Sequence, residues 1–220
     1  MERTSGERVP LDLRGKTITT YIVYEAAKVL EGMSEGEQVE LLTDDFEPIE
    51  ADLASWTRLA GHALERPDRT EDGLRFRVTK GRPIETLREL AVVISDPGLE
   101  DLLTPLGFAL AAGLEGVRVH LFFQGPAVRV LKRGFIPRLH GWARPFSAFA
   151  RRGLARVGHV HPQEKLAEIR DLGGHIYVCG PSMEHFKVRK EELVYPDLPV
   201  VEYLTFMEIM SRPGARVYVQ

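Results

Sequence analysis

Leu90-Ala91-Val92-Val93-Ile94-Ser95-Asp96 is apolar for five residues without alternation and then turns polar. A strand with one face in water alternates, whereas an unbroken apolar run belongs to a strand covered on both faces, the usual state of strands in a parallel sheet. Val117 to Phe123 has the same character, and His175-Ile176-Tyr177-Val178-Cys179 reads as a third strand. Pro199 to Tyr203 is a fourth and Arg216 to Gln220 a fifth. Helical stretches alternate with them: Glu100 to Gly113, Gly125 to Arg133, Pro162 to Leu172 ahead of Gly173-Gly174, Pro181 to Phe186, and Thr205 to Ser211. Strict alternation of doubly buried strands and helices predicts a three-layer α/β/α domain with a mostly parallel five-stranded sheet.

Upstream the pattern differs. Val9 to Leu13 is a short strand candidate, and Thr17 opens a helix carrying Ile22, Val23, Ala26, Ala27, Val29 and Leu30. Gln38 to Thr43 is a second strand. Asp52 caps a second helix with Leu53, Trp56, Leu59, Ala60, Ala63 and Leu64 at helical spacing. After a polar turn from Pro67 to Gly73, Leu74 to Thr79 alternates apolar and basic residues as a third strand. The order β-α-β-α-β predicts a small two-layer α/β sandwich. Gly81-Arg82-Pro83 is the linker candidate, giving domains over 1–81 and 82–220. Charge divides the same way: residues 1–80 hold 11 basic and 17 acidic side chains, residues 81–220 hold 18 and 15.

The net charge of -3 gives no reason to expect nucleic acid as a partner. A single cysteine, Cys179, excludes an intrachain disulfide, a multi-cysteine zinc site, and redox cycling through a resolving cysteine in the same chain. The polar start and the lack of a long apolar run predict a cytoplasmic protein. Cys179 ends its strand, and in parallel α/β sheets ligands and reactive groups gather at that end. The free N–H groups of a helix beginning at Pro181 would favour an anion there, so the thiol is the candidate catalytic group. Burial as a small apolar side chain is the competing reading. Gly180, Ser182, Met183 and His185 on the following turn, Asp96 after the first strand of this domain and Gly125 after the second are candidates to line its pocket. Asp96 serves equally well as a helix cap.

The stretch from Lys132 to Gln163 carries seven basic residues and no acidic one. Leu139, Trp142, Phe146 and Phe149 recur in it at helical intervals, interrupted by Pro137, Gly141 and Pro145. This insertion, about 134–161, is a lid packed on the protein's own core, a docking groove for a partner, or a peripheral contact with an anionic membrane. Its docking candidates are Arg138, Trp142, Arg144, Phe146, Phe149 and Arg151. His140, His159 and His161 lie in it with no carboxylate or cysteine nearby in sequence to complete a metal site, so neither a metal nor a cofactor is expected.

His175-Ile176-Tyr177-Val178-Cys179-Gly180-Pro181-Ser182-Met183, Phe186 to Leu193, Val200 to Glu208 and Val119 to Gly125 together resemble the DsrE/DsrF-like family over about residues 88–220. The resemblance implies sulfur relay, with a persulfide carried on Cys179, and a homo-oligomer. Leu11 to Gly15, the helix to Leu30 and Gly36 to Asp45 resemble the TusA/SirA family of small sulfur carriers. That family places Cys-Pro-x-Pro where this chain has Ile18, Thr19, Thr20 and Tyr21, so only the scaffold is matched. The combination implies a sulfurtransferase or sulfur carrier exchanging sulfane sulfur with a partner protein's reactive thiol. The alternative is a non-catalytic interaction or regulatory module with a degenerate carrier domain and a membrane- or partner-docking insertion.

Overall fold

The computed structural model describes residues 10–46, 49–82, 89–212 and 215–219. Val9, Pro83 and Gln220, and the side chain of Leu59, lie outside them. The chain forms two compact units, Met1–Glu85 with Arg156–His159, and Thr86–Ala155 with Val160–Gln220. The segment Arg156–His159, which the sequence assigns to the insertion, thus belongs to the first unit.

The first unit contains β1 (Leu11–Asp12), α1 (Thr19–Glu31), β2 (Gln38–Thr43), α2 (Ile49–Ala60), β3 (Ala63–Leu64), β4 (Asp68–Thr70) and β5 (Gly73–Thr79). β1 pairs parallel with β2; β5 runs antiparallel to β2 and also pairs with β3 and β4. Alternation along β2 and β5 sorts the faces. Val39, Leu41, Leu74, Phe76 and Val78 are buried with Ile22, Ala26 and Leu30 of α1 and Ile49, Leu53 and Trp56 of α2. Arg77 lies on the polar face, 3.0 Å from both Glu40 and Asp68. β3 and β4 replace what the sequence predicts as a helix end and a turn. They are too short to carry a pattern, and their pairing with β5 is what makes them strands.

The second unit contains β6 (Glu89–Ile94), α3 (Leu99–Leu114), β7 (Arg118–Phe123), a 3₁₀ turn over Gly125–Leu131, another over Gly141–Phe146, α4 (Ser147–Arg156), α5 (Pro162–Asp171), β8 (His175–Cys179), α6 (Gly180–His185), β9 (Val200–Val201), α7 (Tyr203–Met210) and β10 (Ala215–Val219). The strand order is β10-β6-β7-β8-β9, parallel throughout, as the buried apolar runs predict. Register places Ala91, Val93, His120, Phe122, Tyr177 and Cys179 on one face. α7 covers it, with Phe206 and Ile209 packed among Ala91, Val93, Phe122 and Cys179. On the opposite face α3 packs with α5 and sets Phe108 against Tyr218.

The sequence predicts a strand over Pro199–Tyr203, but β9 is only two residues long. β8 ends at Cys179, so only Val200 and Val201 find partners, opposite Val178 and Cys179. Glu202 then caps α7, and Tyr203 becomes its first residue.

Candidate functional site

Cys179 is the last residue of β8 and the cap residue of α6, but its side chain makes no cap hydrogen bond. α6 has only six residues, too few to build much of a helix dipole. The sulfur is turned instead toward α7. The side chain is 0% exposed, in a cluster with Ala91, Val93, Phe122, Phe206 and Ile209. Phe122 and Phe206 stack at 4.7 Å, and Tyr203 meets Phe122 edge-on at 6.2 Å.

Tyr203 is 56% exposed, and its phenol lies close enough to Cys179 to respond to the charge on the sulfur. The charge that a Cys179 thiolate would carry, together with partial desolvation, raises the Tyr203 phenol above its usual value. A cleft of about 250 Å³ opens beside this pair, lined by Val93, Phe122, Gln124, Tyr203, Phe206, Met207 and Met210. Its single polar wall residue beyond Tyr203, Gln124, donates to Ser95 Oγ at 3.0 Å. Phe122 and Phe206 belong both to the cleft wall and to the cluster around the sulfur. The arrangement therefore suits a small apolar or sulfur-bearing group brought next to a buried thiol.

The candidates drawn from sequence distribute differently. Ser182 Oγ accepts from Gly125 N at 2.8 Å, joining α6 to the turn after β7, where Gly125 holds a left-handed φ of 53°. Met183 is buried, and Gly180 lies so close to Val200 that an added Cβ would sit 3.3 Å from its Cγ1. His185 is exposed and packs edge-on against Phe186 at 4.8 Å. Asp96 turns to the cap of α3, accepting from Gly98 N at 2.9 Å. The residues that flank the thiol and its cleft are those of α7, above all Tyr203. Sequence proximity could not name them, because α7 reaches Cys179 only through the pairing of β8 with β9.

A second polar cluster joins the sheet to the insertion. His140 Nε2 lies 2.5 Å from Asp101 Oδ2 and 3.2 Å from Asp96 Oδ1, and Glu100 accepts from His140 N at 2.9 Å. The sequence offers no neighbouring carboxylate for His140; the fold supplies two from the start of α3 and the loop before it. The ligand atoms of Asp96, Asp101 and His140 lie within 4.8 Å of one another, so these three are the residues that could hold a metal among those described. The hydrogen bond that the imidazole donates to Asp101 raises His140 above its usual value, which favours a protonated His140 paired with carboxylates.

The insertion is tied down at its base. Leu99 N donates to Arg138 O, Leu139 N to Ser147 Oγ and Arg151 to Pro137 O, each at 2.9 Å. Above that base the rings face water: Trp142 is 87% exposed, Phe149 79%, and Phe146 is exposed too. A lid over the protein's own core would bury them. Arg138, Trp142, Arg144 and Arg151 line a groove of about 620 Å³ with Ile136 and Pro145.

In the first unit the start of α1, Ile18 to Tyr21, is contacted by the segment Arg156–His159. Thr17 N and Ile18 N both donate to Val157 O at 3.1 Å. Gly158, at φ 104°, lies so close to Tyr21 that an added Cβ would sit 3.1 Å from it.

The model of the DsrE/DsrF-like family matches residues 88–217, well over half of the chain. The chain belongs to the DsrE/DsrF-like family. The matched segment takes in the parallel sheet and α7, so Cys179, Tyr203 and the cleft all lie inside the DsrE/DsrF-like region. Among solved structures, the ychN protein of E. coli is similar at 14% identity with a TM-score of 0.45, over 61% of this chain and 100% of that one. A conserved protein of unknown function from Bacteroides thetaiotaomicron is similar at 13% identity with a TM-score of 0.40, over 60% of this chain and 94% of that one. No curated protein matches the chain. No helix among the described residues is long and apolar enough to cross a membrane.

Proposed function

We propose that this protein is a sulfur-relay carrier that holds sulfane sulfur as a persulfide on Cys179. The observation that carries the reading is the placement of the chain's one thiol: at a strand end, in the DsrE/DsrF-like domain, with an apolar cleft alongside. In loading, the Cys179 thiolate attacks the outer sulfur of a donor persulfide. A new S–S bond forms, the donor's S–S bond breaks, and the donor leaves as a thiolate. Transfer onward repeats the exchange with an acceptor thiolate and returns Cys179 to its thiolate, so no outside oxidant or reductant is needed. Because Cys179 is fully buried, loading requires α7 to lift at its first turn, and the cleft marks where it lifts. The first unit, TusA/SirA-like in scaffold but without the thiol, serves as a docking element. Tag-switch labelling of persulfides after incubation with a donor tests this: the wild type labels, and Cys179→Ser does not while remaining folded. Labelling of the serine variant would sink the proposal.

The burial of Cys179 favours one competing reading, a non-catalytic interaction module whose cysteine is part of the core. In that case alkylation of Cys179 proceeds only as fast as the whole domain unfolds, whereas the carrier reading requires local opening that is much faster.

A further inference from the structure

The insertion combines features with no part in the thiol site. Between Lys132 and Gln163 there is no acidic residue, and Arg138, Arg144 and Arg152 have no carboxylate partner among the described residues. Trp142, Phe146 and Phe149 stand exposed between them. Exposed rings of this size are costly in water, and Trp is the side chain best suited to a boundary where one end is apolar and the other wet. Unpaired guanidinium groups call for phosphate or carboxylate. The base of the insertion is held by Leu99 N to Arg138 O, His140 N to Glu100 and Leu139 N to Ser147. Rings and arginines are therefore presented ready-made, with little ordering cost on binding. α4 is ten residues long, about 15 Å, far short of a bilayer, so it would lie along a surface and could not cross it.

We propose that residues 136–152 form a docking surface for an anionic lipid bilayer, with Trp142, Phe146 and Phe149 entering the headgroup boundary and Arg138, Arg144 and Arg152 pairing with lipid phosphates. Charge complementarity selects this occupant. A bilayer needs only rings at one level inside a basic collar, whereas a protein groove would bury the rings in pockets cut to their shape. The proposal is independent of the sulfur chemistry.

The full chain reports on its own binding. It has two tryptophans, Trp56, 4% exposed in the first unit, and Trp142, so an environment-sensitive change in emission comes from the insertion. With phosphatidylglycerol-rich vesicles at low salt, the protein co-sediments and its emission shifts to the blue; with pure phosphatidylcholine vesicles both effects are far weaker. Arg138→Ala with Arg144→Ala lowers partitioning by about fivefold per arginine, the factor expected for each basic residue at an anionic surface. Trp142→Phe keeps most of the binding and loses the shift. Unchanged Trp56 emission and far-UV circular dichroism show that each variant is folded. Absence of co-sedimentation on anionic vesicles at low salt overturns the proposal. So does undiminished binding by the double arginine variant, or binding to an acidic polypeptide in place of vesicles.

Discussion

Tyr203, the first residue of α7, packs its ring on Phe122 beside Cys179, and two substitutions separate the ring from the hydroxyl. Tyr203→Phe keeps the ring packed on Phe122, so alkylation of the native protein stays close to the wild-type rate. Tyr203→Ala removes the ring and speeds alkylation past the wild-type rate. Timed iodoacetamide reaction read by mass distinguishes the two; equal rates in all three proteins would mean that Tyr203 does not control the thiol. Phe206, buried and stacked on Phe122, holds α7 to the sheet. Phe206→Ala leaves a cavity and destabilises the second unit by about 3 kcal/mol in urea unfolding.

α3 and the insertion meet at His140, Asp96 and Asp101, and this contact responds to pH. His140 is raised by Asp101, so its contribution is complete below the ordinary histidine value of 6.5 and is lost as pH rises through the raised one. Hydrogen exchange at the start of α3 therefore quickens on alkalinisation in the wild type and is already fast and pH-flat, after correction for intrinsic exchange, in His140→Ala. The long strands of both sheets are legible in sequence because their apolar runs or alternation persist for five residues or more. β3, β4 and the two-residue β9 are not, since they exist only through partners elsewhere in the chain. The same limit governs the site. Cys179 is visible as a strand-end thiol, but its burial, its turn toward α7 and its tyrosine all follow from β9 being short. His140 likewise acquires its carboxylates from a segment far away in sequence.

The molecule brings together a DsrE/DsrF-like domain with the one thiol, a first unit without cysteine and a basic aromatic insertion. Beneath α7's face of the sheet, burial lowers His120 to about 4, outweighing the pull of nearby Glu89. A neutral His120 gives stability that is complete above 6.5 and is lost as pH falls toward 4, so thermal unfolding shifts to lower temperature across that window. His120→Phe flattens the dependence, and an unchanged profile in that variant would assign the acid sensitivity to other groups. The central claim, that Cys179 carries sulfur, is tested most directly by intact-protein mass spectrometry after incubation with thiosulfate and a rhodanese, with Cys179→Ser alongside. The account predicts a gain of one sulfur atom on the wild type, removed by reductant, and none on the variant. An unchanged mass on the wild type, or an equal gain on Cys179→Ser, would contradict it.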